Sequence, residues 1–170
     1  MKNIVLVGFS GSGKTTIGRA LASQLDMEFV DLDSAIEEKY HASIPHIFEK
    51  YGESVFRQCE YLTLKENLSH SNIVISTGGG APTYKDAMEL INAQAFSIYL
   101  DLSEEFLVNR LKNSKKVRPL TSSLSDESLH DYVHITLLKR KPYYQMANLV
   151  IQEDDLNVKT IARIIIEKMK

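Results

Sequence analysis

The chain of 170 residues has a single cysteine, Cys59, so it can form no internal disulfide. That suits a reducing compartment, and we expect a cytoplasmic protein. Cys59 falls in an expected helix with no catalytic signature around it and reads as a small packing residue. No stretch approaches the ~18 consecutive apolar residues of a membrane helix. A signal-peptide shape is missing too, since Lys2 leads straight into an apolar strand and a glycine-rich loop. Neither charge sign dominates: 20 Lys and Arg against 22 Asp and Glu leave a net charge of −2. This excludes a general binder of nucleic acid or membrane surfaces, and any basic patch must be local and serve a small anionic ligand. The aromatic residues lack the basic interleaving of a nucleic-acid platform. No H-E-x-x-H string occurs, and His130 and His134, four apart on an expected helix, have no third metal ligand nearby. The N-K-x-D string of guanine-nucleotide switches is absent, and there is no internal repeat or low-complexity linker.

What remains is ordinary in bulk and specific in detail. Hydrophobic residues make up 44% and charged residues 25%, which fits one soluble domain with a real core. Near the start, Gly8-Phe9-Ser10-Gly11-Ser12-Gly13-Lys14-Thr15 matches G-x-x-x-x-G-K-[ST], the phosphate-binding P-loop. Ile4–Val7 before it has the apolar, β-branched character of a buried parallel strand. After it, Ile17, Ala20, Leu21 and Leu25 follow helical spacing. In that context the glycines let backbone N–H groups wrap a phosphate, and the helix N-terminus adds partial positive charge. Lys14 is placed to reach the β- and γ-phosphates, and the Thr15 hydroxyl to ligate Mg²⁺.

Strand candidates at Ile4–Val7, Glu28–Asp31, Asn72–Ile75, Phe96–Leu100 and Leu149–Ile151 alternate with helical stretches at 14–25, 33–69 in pieces, 84–93, 103–112, 126–146 and 155–169. Such alternation predicts an α/β fold: a three-layer sandwich with a five-stranded parallel sheet. Segment 33–69 is too long for one crossover helix, and Pro45 and Gly52 are expected to break it into about three. We expect it to form a substrate-binding subdomain, bounded at 32–61, within a single domain spanning 1–170. Segment 112–125 is polar and basic at its start, with Arg118-Pro119 in its middle, and reads as a lid loop.

Three further groupings carry chemistry. Asp31-Leu32-Asp33 ends the second strand, where parallel sheets present ligands. One carboxylate can hold Mg²⁺ through water and the other can accept a hydroxyl proton, although Asp33 also suits a helix N-cap. The third strand ends in Ser76-Thr77 and not in a carboxylate, which favours Asp31 as the acidic group near the metal. Gly78-Gly79-Gly80 follow and can bare backbone to a ligand. Arg57 and Glu60 share a helix face; they make either a surface ion pair or a bidentate clamp for a substrate carboxylate. Arg140 precedes Pro142, which should stop or kink its helix, and local sequence alone assigns Arg140 no function.

Taken together, the P-loop, Asp31-x-Asp33, Phe56-Arg57-x-x-Glu60, Thr77-Gly78-Gly79-Gly80, Arg118-Pro119-Leu120 and Arg140-x-Pro142-x-Tyr144 resemble the shikimate kinase family in order and spacing. The resemblance covers essentially the whole chain. It implies a P-loop NTPase of the nucleoside monophosphate kinase-like kind, with strand order 2-3-1-4-5, a substrate-binding subdomain and a lid. The activity implied is transfer of the γ-phosphoryl of ATP to the 3-hydroxyl of shikimate, with Mg²⁺, in the route to chorismate and the aromatic amino acids. By position, Gly11, Ser12, Gly13, Lys14, Thr15 and Thr16 would hold ATP phosphates, and Arg110 would stack on adenine. Thr15, and Asp31 through water, would hold Mg²⁺. Asp33, Arg57, Gly78, Gly79, Gly80 and Arg140 would contact shikimate, walled by Phe48 and Phe56. Lys14, Asp33 and Arg118 would be the catalytic residues, with Arg118 closing from the lid. The partners implied are ATP and shikimate, with no nucleic acid or membrane, and the chain is expected to be a monomer. Two positions depart from many relatives, Asn148 where Asp is common and His41 where Gly is common. Rival readings are a gluconate or nucleoside monophosphate kinase of the same fold, a nucleotide switch, and a non-catalytic binding module.

Overall fold

The computed structural model describes residues 2–114, 125–152 and 157–169. Its elements run β1 (Asn3–Val7), α1 (Lys14–Leu25), β2 (Glu28–Asp31), α2 (Leu32–Tyr40), α3 (Ile44–Leu68), β3 (Ile73–Ser76), α4 (Ala87–Gln94), β4 (Ala95–Leu100), α5 (Glu104–Lys112), α6 (Asp126–Tyr144), β5 (Leu149–Ile151) and α7 (Val158–Lys168). Among the described residues the five strands form one sheet in the order β2-β3-β1-β4-β5, every ladder parallel. This is the fold class expected from the alternation of strands and helices, with the strand order implied by the family resemblance.

Side-chain alternation along the strands explains the three layers. Ile4 and Leu6 of β1 join Val74, Ile98 and Leu100 in a core facing α1 and α7. Val5 and Val7 point the other way, with Ile73, Ile75 and Tyr99, into a core closed by α2, α3 and α4. All four apolar residues of Ile4–Val7 are fully buried, and each such burial is worth about 2 kcal/mol before entropy is counted. A third apolar group, including Leu107, Leu111, Val133 and Leu137, packs α5 on α6 and reaches Phe9 in the P-loop. Because the strands are parallel, the ends of β1, β2 and β3 all open at one edge of the sheet, where the order reverses around β1.

The region after β2 does divide into three helical pieces, one break falling at Gly52 as expected and the other before Pro45. The first break is at His41, which caps α2 in a left-handed conformation (φ 50, ψ 37), before Ser43 caps α3 through the His46 N–H. Pro45 lies in the first turn of α3, where a missing N–H loses no helical bond. Gly52 (φ 79, ψ 170) supplies the second break. The left-handed angle at His41 is one that glycine would adopt with less strain. Pro142 does not stop α6, which runs through it to Tyr144. Asn148 accepts from the Ser97 N–H at 3.0 Å and ties the turn before β5 to β4.

Candidate active site

The P-loop joins β1 to α1, with Gly13 as the helix N-cap in a left-handed conformation that suits glycine (φ 91). Lys14 opens α1 and is only 7% exposed. Its ammonium donates to the Gly8 and Phe9 carbonyls, each at 2.8 Å, and to Ser12 Oγ at 3.4 Å. Beside it, Thr15 Oγ1 donates to Asp31 Oδ2 at 2.8 Å and lies 3.3 Å from Ser76 Oγ. The ends of β2 and β3 therefore meet the first turn of α1 in a cluster of hard oxygen atoms. Among the described residues no three His, Cys, Asp or Glu side chains gather as a metal site. The Thr15 hydroxyl, with the Asp31 carboxylate one water further out, nevertheless suits a magnesium ion.

Asp31, not Asp33, is the N-cap of α2, with its Oδ1 accepting from the Ser34 N–H at 3.3 Å. Asp33 sits in the first helical turn, so the two carboxylates do not share one face of an extended strand. A helical turn brings them to the same cavity all the same.

Across that cavity, α3 presents Arg57 in a buried ion pair. Its Nη1 donates to Glu60 Oε2 at 2.8 Å, and its Nη2 to Glu53 Oε1 at 3.0 Å. Glu60 is 1% exposed, which rules out the surface ion pair allowed by the sequence. Burial raises the Glu60 carboxyl above its ordinary value, against the pull of Arg57 and with Asp33 pushing the same way. The glycine triplet makes this packing possible. A methyl group on Gly80 would overlap the Arg57 guanidinium, and one on Gly78 would lie 2.5 Å from Glu60 Oε1. A methyl on Gly79 would sit 3.1 Å from Arg140 Nη1. Bare backbone here accommodates the protein's own charged side chains as well as any ligand. Neither the Gly79 nor the Gly80 N–H has a hydrogen-bond partner among the described residues.

One cavity of about 1080 Å³ brings these groups together. It is lined by Gly11, Gly13, Lys14, Thr15, Thr16, Asp31, Asp33, Phe48, Phe56, Arg57, Gly78, Gly79, Gly80, Arg110 and Arg140. Phe48 and Phe56 stack with ring centres 4.6 Å apart as an apolar wall. Arg140 reaches in from α6, its guanidinium 5.8 Å from the Phe9 ring centre. Arg110 leans on Phe106 at 4.9 Å and also lines a smaller pocket of about 160 Å³, shared with Ser12, Gly13 and Thr16. Ser12 faces that smaller pocket and Lys14, not the main cavity. Arg118 and most of the 112–125 segment lie outside the described residues. The structure adds Ser10, Ser76, Glu60 and Tyr132 to the lining. The Arg57–Glu60 spacing, the place of Ser10 in the P-loop and that of Ser76 at the end of β3 are visible in the sequence, but the burial of Glu60 is not, and Tyr132 carries no local signal.

A P-loop at the switch point of a 2-3-1-4-5 parallel sheet, opening on a second, cation-lined half-site, defines a P-loop kinase of the nucleoside monophosphate kinase-like class. A family model described as shikimate kinase matches residues 10–170, and the chain belongs to that family. It is 39% identical over 159 residues to a shikimate kinase of Phocaeicola vulgatus, covering 94% of this chain and 91% of that one. A crystal structure of shikimate kinase from Bacteroides thetaiotaomicron matches with a TM-score of 0.94 at 35% identity, over 99% of this chain and 98% of that one. Shikimate kinase from Acinetobacter baumannii, solved in complex with shikimate, matches with a TM-score of 0.92 at 36% identity, over 99% and 93% of the two chains.

Proposed function

We propose that the chain transfers the γ-phosphoryl group of ATP to the 3-hydroxyl of shikimate, giving shikimate 3-phosphate and ADP. The observation that carries this reading is the continuity of one cavity from the P-loop to the Arg57–Arg140 side. Two guanidinium groups suit the carboxylate of an acceptor. Asp33 and the bare Gly79 and Gly80 N–H groups suit its hydroxyls, and the Phe48–Phe56 wall suits the face of a carbon ring. Family membership and the shikimate complex of the Acinetobacter baumannii relative support the same choice.

On this reading, backbone N–H groups from Gly11 to Thr16 hold the ATP phosphates, Lys14 neutralises them, and Arg110 packs on the adenine. Thr15, and Asp31 through water, would hold Mg²⁺, which would supply charge neutralisation for the phosphate groups. Asp33 orients the acceptor hydroxyl and takes its proton. The hydroxyl oxygen forms the new bond to phosphorus as the bond to the β–γ bridging oxygen breaks, and that electron pair leaves with ADP. Arg57 and Arg140 hold the carboxylate so that the 3-hydroxyl lies in line. Arg118 closes from the lid, and closure keeps water from competing for the phosphoryl group.

A coupled ADP-release assay with Mg·ATP and shikimate, quinate, gluconate, AMP or no acceptor tests the proposal. Turnover that depends on shikimate is the expected result. Turnover only with gluconate or AMP would keep the ATP half and discard the acceptor assignment. ATP binding without turnover on any acceptor would favour a binding module.

A further inference from the structure

Beneath the acceptor half lies a pair of buried tyrosines that the proposed chemistry does not use. Tyr144, the last residue of α6, is 0% exposed, and its hydroxyl donates to the Gly79 carbonyl at 2.5 Å. In a trans peptide the carbonyl and the next N–H point in opposite directions. Holding the Gly79 carbonyl on the tyrosine therefore turns the Gly80 N–H away from it, and Gly80 lines the cavity. Arg140 precedes Tyr144 by one helical turn and packs on Gly79 from the same side of α6. One helix end thus sets both the bare backbone and one guanidinium of the acceptor half.

Tyr99 supports that tyrosine from β4. The two rings lie 5.1 Å apart at 38°. Tyr99 pairs in register with Val7, the last residue before the P-loop, and a side chain on Gly8 would sit 3.5 Å from the Tyr99 ring. Its hydroxyl donates to Asp101 Oδ1 at 2.7 Å. Asp101 in turn accepts from Gln152 at 3.0 Å and faces Lys141 at 3.3 Å. The ring pair is a shared floor under the donor loop and the glycine triplet. Packing alone would be served by phenylalanine, because a buried phenol must find a partner or lose stability. Here one hydroxyl is spent on the Gly79 carbonyl and the other on Asp101.

We infer that Tyr144 is a positioning residue for the acceptor: its hydroxyl, steadied by Tyr99, fixes the Gly79–Gly80 peptide and Arg140 relative to the P-loop. This rests on the acceptor half proposed above. Burial pushes the Tyr144 phenol up to about 12, so it remains a donor throughout the neutral range.

Steady-state kinetics of Tyr144→Phe and Tyr99→Phe, with thermal unfolding alongside, test the inference. Tyr144→Phe keeps the ring and removes only the hydroxyl. The shikimate KM should rise roughly tenfold while the ATP KM stays within about twofold, the scale of one lost buried hydrogen bond. A shikimate KM equal to that of the wild type, or equal rises for both substrates, overturns the inference. Should Tyr144→Phe fail to fold, Tyr99→Phe decides. It leaves the Gly79 contact in place but frees the ring pair from Asp101, so the same selective rise should appear at smaller size, and an unmoved shikimate KM overturns the inference. A wild-type chain inert towards shikimate would overturn the proposed function and this inference with it. An active wild type with unaltered variants would sink the positioning role alone.

Discussion

The Thr15 hydroxyl donates to the Asp31 carboxylate at 2.8 Å, joining the first turn of α1 to the end of β2. Two residues 16 positions apart thereby form one edge of the phosphate site. The same carboxylate caps α2 through Ser34, so Asp31 orients the helix that carries Asp33.

If Asp31 steadies the metal through water, Asp31→Asn should raise the Mg²⁺ concentration needed for half-maximal turnover by about tenfold or more, the usual scale for a group one shell out from a metal. A magnesium titration of ADP release at fixed ATP reads this directly. An unchanged midpoint would remove Asp31 from the metal's surroundings and leave it as a helix cap.

Asp33→Ala should lower turnover by about 10²- to 10⁴-fold, the range of a lost general base, with ATP affinity nearly intact. Turnover and the ATP dissociation constant, measured on the same preparation, separate the two effects. Near-normal turnover would show that the acceptor hydroxyl needs no carboxylate at this position.

Gly80→Ala is a sharper test of the carboxylate clamp than deletion of Arg57. Removing Arg57 leaves Glu60 buried without its partner and should lower stability by about 3 to 5 kcal/mol, which blurs any kinetic effect. The methyl group in Gly80→Ala instead presses on the Arg57 guanidinium and displaces it while the charges remain. Gly80→Ala and Arg140→Ala should each raise the shikimate KM by at least about tenfold and leave the ATP KM within about twofold. Equal rises in both would argue against a clamp.

Alkaline pH should loosen the floor of the site. The folded value for Tyr144 is raised by burial from 10.0 to about 12, and that of Tyr99 is raised further by burial and by Asp101. A raised value means that the stabilisation is complete below pH 10 and is lost as pH climbs through the folded value. Tyr144 alone accounts for about 2 to 3 kcal/mol between pH 10 and pH 12. Denaturant unfolding across that window should show a steep fall in the wild type and a shallower one in Tyr144→Phe. Parallel curves would show that Tyr144 does not titrate with unfolding.

Much of the donor half was legible because it is local. The P-loop lies within eight consecutive residues, and its strand and helix announce themselves by two different apolar periods. The five strands were placed to within one or two residues. Pro45 and Pro142 were harder to read. Both prolines suggest breaks, but Pro45 sits in a first turn, where its missing N–H loses no helical bond, and α6 runs on through Pro142 for two residues, forgoing only the bond to the Leu138 carbonyl. The resemblance assembled the acceptor half; local residue patterns alone left Arg57 between two readings and Arg140 without one.

By itself the sequence determined the α/β alternation, the phosphate loop and the types of charge available, since each depends on neighbours a few residues apart. Only the tertiary structure decided that Glu60 is buried against Arg57, that the glycine triplet makes room for charged side chains, and that Tyr144 holds Gly79 from 65 residues away. Those contacts arise where helices and strands distant in sequence pack against each other. Burial, which turns an ordinary ion pair or phenol into a fixed part of a site, is a property of that packing and not of any local stretch of chain.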